Sequence, residues 1–255
     1  GIYMLFADTE RGAEIYSAAG DTGQAKIVFD IAKQMVAQNS QLNKRGKIYQ
    51  NSIVNPSKGN FYKAISSDSK TKHGFNSSCI IIDELHTQPN RDLWDTLTTS
   101  TGARREPLTV AISTAGYDKN SICWEVHDYA EKVRDGVIKD ESFLPILYAA
   151  DIEDDFTLEE TWKKANPGYG TIIKKEYLQK ESAKAKEITS YENTFRRLHL
   201  NQWTTNQTKW ISADLWNRND KGPIDLKSLK GEKCYAGLDL ASIRDLTALV
   251  LVFPR

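Results

Sequence analysis

The sequence predicts an α/β protein built on a mostly parallel β-sheet. Short apolar runs alternate with helical patterns, and the run at 79–84 reads Cys-Ile-Ile-Ile-Asp-Glu, an unbroken apolar strand that ends in two carboxylates. Strands that are buried on both faces of a parallel sheet have such continuous apolar sequences. Open α/β sheets bind ligands beyond the carboxyl ends of their strands, so Asp83 and Glu84 lie where a site is expected.

A second predicted strand, at 108–116, repeats this design with hydroxyl groups in place of the acids. It ends in Ser113, Thr114 and Gly116. If the two strands are neighbours, these residues join the two carboxylates at one edge. In an ATPase the first acid holds Mg²⁺ through its water shell, the second polarises the attacking water, and the hydroxyls sense the γ-phosphate. Acids after a strand also occur simply because helix N-termini favour them, and the pairing with the second strand favours the ATPase interpretation.

Composition sets the outer limits of the interpretation. The 255 residues carry 34 Lys+Arg and 34 Asp+Glu, so any contact with DNA must come from local patches rather than from a net basic charge. The three cysteines form no C-x-x-C pair, which fits a reducing compartment. The sequence contains neither an apolar run long enough to span a membrane nor a signal peptide.

The remaining segments alternate between predicted strands and helices. Strands are predicted at 13–19, 47–54, 60–66 and 143–149, the last as a further buried strand, and helices at 24–36, 90–101 and 122–133. The turn at 20–23 resembles a phosphate loop only weakly, because no Gly-x-x-x-x-Gly-Lys-Ser/Thr motif occurs anywhere in the chain.

Residues 151–232 differ from the rest in being acidic at first and then rich in lysine and tryptophan. This composition predicts a few helices that pack on aromatic anchors and form a lid and linker. Arg196, Arg197 and His199 are candidates for DNA contact there, although a solvated helix face explains them at least as well.

A new apolar strand begins at Cys234, and a second one follows a turn at 242–245. The pair predicts a hairpin that opens a second sheet. Asp239 lies between apolar neighbours in the first strand, where an acid is costly unless it has a partner or a metal. RNase H-like nucleases display their first metal-binding aspartate in this way, whereas a lone strand aspartate is usually a structural polar group.

Five motifs in this order resemble the large terminase subunit of tailed bacteriophages, over nearly the whole chain. They are Glu-Ile-Tyr-Ser-Ala-Ala, Ile-Ile-Ile-Asp-Glu-Leu-His, Ile-Ser-Thr-Ala-Gly, Phe-Arg-Arg-Leu-His-Leu-Asn-Gln-Trp and Gly-Leu-Asp-Leu-Ala-Ser-x-x-Asp-Leu-Thr-Ala. The resemblance implies a packaging ATPase with a P-loop NTPase core of the RecA/ASCE type, joined to an RNase H-like nuclease. It implies domains at 1–150 (ATPase core), 151–232 (helical lid and linker) and 233–255 (start of the nuclease).

The resemblance also assigns roles to single residues. Asp83 and Glu84 match the Walker B acids, with Asp83 on the Mg²⁺ of ATP, and 113–116 match the coupling motif. Asp239 matches the first nuclease aspartate and Asp245 a second acidic position, both as ligands of Mg²⁺ or Mn²⁺. The family's phosphate loop and remaining nuclease acids are expected upstream and downstream, so we expect a chain truncated at both ends.

The family works as a homo-oligomeric ring, which implies a cation supplied by a neighbouring subunit. Lys70 or Lys72 is the candidate, with Arg104 or Arg105 as the alternative. The implied partners are double-stranded DNA, the portal protein and procapsid, and the small terminase subunit, in the cytoplasm of a host bacterium. The rival interpretations are a helicase-like DNA translocase and a non-catalytic module that binds DNA or a portal.

Overall fold

The computed structural model describes residues 1–67, 74–204, 218, 222, 225, 227–240 and 247–254. The chain divides into two compact units, Gly1–Trp210 and Ile211–Arg255. The first unit contains a sheet of six strands: β1 (Glu14–Ala19), β2 (Lys47–Ile48), β3 (Ser52–Asn55), β4 (Asn60–Ser66), β5 (Ser77–Asp83) and β6 (Leu108–Ile112). Its helices are α1 (Ile2–Phe6), α2 (Thr22–Gln38), α3 (Ser40–Arg45), α4 (Asp92–Thr99), α5 (Ile122–Arg134), α6 (Glu159–Ala165), α7 (Lys175–Glu187) and α8 (Thr189–Leu200).

The sheet is mostly parallel, which confirms the predicted fold class. The strand order is β2-β3-β4-β1-β5-β6, in which β1 pairs in parallel with β4 and β5, and β5 pairs in parallel with β6. The pair on either side of the turn at 55–59 is antiparallel, and so is the pair of β2 and β3. The neighbouring strands β5 and β6 therefore end at the same edge, as the two polar strand ends require.

Two apolar clusters cover the central strands and explain their unbroken apolar sequences. One cluster contains Ile15 and Cys79, packed with Phe29 of α2. The other contains Ile80 and Ile82, packed with helix α4 and the start of α5. Because successive side chains of a strand point to opposite faces, an apolar run is needed only where both faces are covered.

Strand β6 differs from β5 in being exposed along its whole length. It lies at the end of the strand order among the described strands, and Leu108, Val110 and Ile112 are 48%, 36% and 53% exposed. Its apolar sequence resembles that of a covered strand, yet its outer edge has no strand partner in the described part of the chain.

The prediction of a buried strand at 143–149 is wrong. The segment forms no strand, and Leu144 and Ile146 are 81% and 63% exposed. Pro145 has no N–H to give to a strand ladder. The backbone instead bonds to the end of α8: Asn201 donates its side-chain N–H to the Tyr148 carbonyl at 2.8 Å.

Helices α6, α7 and α8 pack around a separate apolar cluster. Its large buried members include one side chain from each helix, namely Trp162, Leu178 and Phe195. Asn166 ties the helices together, because its side-chain amide donates to the carbonyls of Trp162 at 2.7 Å and His199 at 2.9 Å. The lid predicted from composition is thus helical in the described residues.

In the second unit, β7 (Tyr235–Asp239) and β8 (Ala248–Val252) form the predicted antiparallel hairpin. Asp239 is the last residue of β7 and faces Ala248 across the pair. All ten residues of the two strands are exposed. The aspartate is therefore exposed and lies at the end of its strand, rather than in mid-strand as predicted.

Candidate active site at the carboxyl edge of the sheet

Glu84 directly follows the last residue of β5, and its backbone is strained. It has φ 50° and ψ 55°, the left-handed conformation, which costs a non-glycine residue about 1–2 kcal/mol. Local hydrogen bonds hold this conformation: Thr87 donates its backbone N–H and its hydroxyl to the Glu84 carbonyl at 2.9 and 2.8 Å. Such strain persists where surrounding contacts fix it, and it is typical of functional positions.

His86 joins the acidic strand end to the hydroxyl strand end. Its Nδ1 lies 3.0 Å from Glu84 Oε2 and 3.1 Å from Ser113 Oγ. The His86 backbone N–H also donates to Ser113 Oγ at 3.0 Å, and the Thr114 hydroxyl lies 3.5 Å from Nδ1. Sequence analysis did not assign His86 a role, because nothing in its spacing shows that it bridges two strands.

The protonation of His86 follows from this environment. Burial lowers its pKa, the Glu84 carboxylate acts in the opposite sense, and the positive charge of Arg197 lowers the pKa further. Glu84 Oε2 is buried and has no hydrogen-bond partner among the described residues, so its 3.0 Å contact with His86 Nδ1 is a close electrostatic approach and not a hydrogen bond. The hydrogen bonds of Nδ1 go to the Ser113 and Thr114 hydroxyls.

The turn that follows β1 packs against the residues that follow β5 at this edge. A Cβ at Gly20 would lie 2.8 Å from both the carbonyl and the hydroxyl oxygen of Thr87, so only glycine allows this approach. Helix α2 then begins with Asp21 as its cap, whose carboxylate accepts from the Gln24 N–H at 3.0 Å.

The glycine of the Ser-Thr-Ala-Gly loop is covered by a tryptophan. A Cβ at Gly116 would lie 2.8 Å from the Trp203 ring, and Thr204 donates its N–H to the Gly116 carbonyl at 3.4 Å. Trp203 also packs edge-on against Trp124 of α5, with 4.8 Å between ring centroids. The chain that leaves α8 is thus fixed on the loop that carries the hydroxyls.

A cleft of about 270 Å³ opens beside these groups. It is lined by residues 86–89 and by Gly116, Tyr117, Asp118 and Ser121. Polar groups therefore converge on a concave surface at the carboxyl edge, the usual position of a ligand site in an open α/β sheet.

The opposite edge of the sheet uses one of the predicted cations for structure. Arg104 is 7% exposed and donates to the carbonyls of Asn76 at 2.8 Å and Gly12 at 2.9 Å, and it pairs with Glu10 at 3.3 Å. These partners precede strands β1 and β5, so Arg104 lies at their amino ends, away from Glu84. The alternative role of Arg104 or Arg105 as a cation supplied to a neighbouring subunit stays a prediction.

The predicted site residues fall into three groups. Asp83, Glu84 and the 113–116 loop lie at one edge, as the sequence predicted. Lys70, Lys72 and Asp245 lie outside the described residues. Asp239 is described but isolated: no group of three or more metal-ligating side chains occurs in the described part of the chain.

The two strand ends present oxygen donors, which suit a hard cation such as Mg²⁺ bound mostly through water and phosphate. Asp83 has one carboxylate oxygen on the Glu84 N–H at 3.1 Å, and the hydroxyls follow on the next strand. This donor set fits a nucleotide-bound Mg²⁺. A single exposed Asp239 does not by itself make a two-metal site.

Comparison with known families decides between the interpretations. A family model for the terminase large subunit ATPase domain matches residues 2–132, and a model for the terminase large subunit endonuclease domain matches residues 137–255. The chain belongs to the terminase large subunit family. This membership favours the packaging interpretation over the helicase-like and non-catalytic alternatives.

Individual terminases and a related protein show the same similarity. The terminase large subunit of Enterobacteria phage HK97 is 32% identical over 254 residues, which cover 98% of this chain and 48% of that protein. Protein YmfN of Escherichia coli (strain K12) is 29% identical over 182 residues, 71% of this chain and 40% of that protein. The chain spans about half the length of these curated relatives.

The crystal structure of the HK97 bacteriophage large terminase superposes with a TM-score of 0.69 at 31% identity, covering 98% of this chain and 51% of that chain. The terminase ATPase match contains Asp83, Glu84 and Gly116, and the endonuclease match contains Asp239. Among the described residues, no helix is long and apolar enough to cross a membrane.

Proposed function

We propose that this chain is part of a viral packaging motor whose intact subunit hydrolyses ATP at the carboxyl edge of the sheet. The observation that carries the proposal is the contact chain from Glu84 through His86 to Ser113, with distances of 3.0 and 3.1 Å. It joins the acid that would polarise water to the hydroxyl that would sense phosphate. Membership of the terminase family supplies the reaction class.

In this mechanism Glu84 orients the attacking water, and His86 lies against its carboxylate. Asp83 would hold the Mg²⁺ of ATP through water, and that ion would supply charge neutralisation at the phosphates. Ser113 and Thr114 would report the presence of the γ-phosphate to the loop that ends at Gly116.

The chain contains no phosphate-loop motif, and the relatives are about twice as long. We propose that a strand carrying this motif, in the rest of the full-length subunit, pairs with the outer edge of β6. The place of β6 at the end of the described strand order supports this position, because its outer N–H and C=O groups have no ladder partner among the described strands.

The second proposed activity is metal-dependent cleavage of concatemeric DNA, with Asp239 as a ligand of Mg²⁺ or Mn²⁺. The support is the endonuclease family match and the hairpin. The proposed role of Asp245 and of Lys70 or Lys72 as a trans-acting cation rests on the family resemblance alone.

Translocation of double-stranded DNA into a procapsid implies further partners. We propose a homo-oligomeric ring on the portal protein, recruitment by the small terminase subunit, and action in the host bacterial cytoplasm. The division into an ATPase core at 1–150, a lid and linker at 151–232 and a nuclease from 233 is also a proposal.

Two substitutions in the full-length gene product test both activities and act as controls for each other. Glu84→Gln removes the water-polarising carboxylate, so we expect ATP turnover to fall at least about 100-fold, with ADP affinity and plasmid cleavage unchanged. Asp239→Ala should abolish metal-dependent plasmid cleavage and leave ATP turnover near that of the wild type.

Glu125→Gln is an inert control, because this side chain is 62% exposed and pairs with Arg91 on the surface. Steady-state ATP hydrolysis that survives Glu84→Gln would refute the ATPase assignment. Cleavage that survives Asp239→Ala would show that this acid is structural.

A further inference from the structure

Two adjacent arginines of α8 have different surroundings. Arg196 is held within the helical cluster, where it pairs with Glu192 at 2.7 Å, donates to Gln202 at 2.9 Å and stacks over Phe156. Arg197 instead stacks over the Tyr117 ring, 5.3 Å from its centroid. Because successive residues of a helix point about 100° apart, only Arg197 faces the loop that follows Gly116.

The Arg197 guanidinium is near the candidate active site. Tyr117 directly follows the Ser-Thr-Ala-Gly loop and lines the cleft together with His86. The charge of Arg197 is close enough to His86 to act on that imidazole. A cation from the helical part of the unit therefore lies at the same edge as Glu84.

The position of Arg197 is fixed by the contacts that follow α8. Trp203 covers Gly116, and Thr204 donates to the Gly116 carbonyl. These contacts attach the chain that follows α8 to the loop at Gly116. The same loop carries the hydroxyls of Ser113 and Thr114, so these contacts fix α8, and with it Arg197, relative to those hydroxyls.

The guanidinium has unused hydrogen-bonding capacity. Its Nε is buried and has no hydrogen-bond partner among the described residues. Glu84 Oε2, which lies 3.0 Å from His86 Nδ1, is likewise buried without a hydrogen-bond partner among the described residues. A buried donor without a partner is costly, and a planar guanidinium matches the oxygens of a phosphate.

We propose that Arg197 binds a phosphate group of the nucleotide at the carboxyl edge, as a cation supplied in cis by the helical lid. The proposal rests on the proposed ATPase function and adds a residue to it. It also makes the lid sensitive to the nucleotide, because the phosphate would hold α8 against the Gly116 loop. A DNA phosphate has the same chemistry, so the test must separate the two sources.

The test measures two affinities in the full-length gene product, for ADP and for ADP with aluminium fluoride, which imitates the phosphoryl group in transfer. We expect Arg197→Ala to weaken the fluoroaluminate complex at least about tenfold, because one charge-assisted contact is lost. ADP affinity should stay within about twofold, because ADP lacks that phosphoryl group. Arg197→Gln, which keeps a side chain over Tyr117, should give the same loss if Arg197→Ala does not fold.

The matched control is Lys184→Ala, which removes another cation from a tyrosine ring of the helical cluster, 3.9 Å from the Tyr191 centroid. This control should change neither affinity. Unchanged binding of the fluoroaluminate complex in a folded Arg197 variant would overturn the proposal. So would a loss confined to DNA affinity, which would place the guanidinium on the DNA backbone.

Glu84→Gln, measured in parallel, separates this inference from the function on which it rests. Retained hydrolysis in Glu84→Gln would refute the ATPase assignment itself. Lost hydrolysis in Glu84→Gln, together with unchanged fluoroaluminate binding in the Arg197 variants, would refute only the role of Arg197.

Discussion

The two edges of the six-stranded sheet differ in how their polar groups are used. At the amino edge, Arg104 is almost fully buried, and its nitrogens bond to two carbonyls and one carboxylate. At the carboxyl edge, Glu84 is strained and His86 is shared between two partners, beside an open cleft. The difference indicates that one edge stabilises the fold and the other is organised for chemistry.

A further carboxylate at the amino edge, that of Glu14, is hydrogen-bonded within the protein. Glu14 accepts from the Tyr16 hydroxyl at 2.7 Å and from the Asn76 N–H at 2.9 Å. Burial raises the pKa of Tyr16 strongly, and the hydrogen bond to Glu14 adds to this rise. At the carboxyl edge, by contrast, the Nε of Arg197 is buried and has no hydrogen-bond partner among the described residues.

The largest expected effect on stability comes from removing the contacts of Arg104 at the amino edge. Arg104→Met removes a buried ion pair and leaves two carbonyls with fewer donors, so the free energy of unfolding should fall by about 2–4 kcal/mol. Urea unfolding followed by circular dichroism measures this. Arg105→Met, at the exposed neighbour, should stay within about 0.5 kcal/mol. Equal effects of the two substitutions would contradict the assigned difference.

A smaller effect is expected from crowding the carboxyl edge. Gly116→Ala places a methyl group against the Trp203 ring, which should cost about 1–3 kcal/mol of unfolding free energy. Combining it with Trp203→Leu should recover part of the loss, a coupling that a double-mutant cycle measures. Gly102→Ala is the control, because its Cβ would meet no atom within 4 Å. Additive losses in the cycle would show that the glycine and the ring do not touch.

The smallest expected effect is a dependence of stability on pH. Burial lowers the pKa of His86, His127 and His199 below the ordinary value of 6.5. The unfolded chain therefore binds more protons just below pH 6.5, so stability is complete above that value and falls as the pH drops beneath it. Unfolding at pH 7.5 and 5.5 should show lower stability at pH 5.5, and His199→Gln should reduce the difference. Equal or greater stability at pH 5.5 would mean that the imidazoles are not buried neutral.

Sequence reasoning placed the acids and hydroxyls correctly because each belongs to a strand with a strong apolar pattern, and parallel neighbours end at one edge. It missed the contact between Gly116 and Trp203, since residues so far apart in the chain leave no local signal. The position of Arg104 at the amino edge could have been predicted from the sequence. It precedes β6, and a residue that precedes a parallel strand lies at the amino edge of the sheet.

The segment at 143–149 shows why an apolar run alone does not make a strand. Along 143–148 the side chains alternate between half-buried and exposed, and Phe143 packs against Tyr129 with 5.1 Å between ring centroids. Strand formation also requires a partner for the backbone, and the sequence carries no information about that partner.

The exposed edge of β6 has a consequence for the chain in solution. Three apolar side chains line a strand whose outer N–H and C=O groups have no ladder partner in the described part of the chain, and such edges recruit strands from other molecules. This 255-residue chain, prepared by itself, should self-associate as its concentration rises. A lysine in place of Val110 would then improve its solubility without touching the acids of β5.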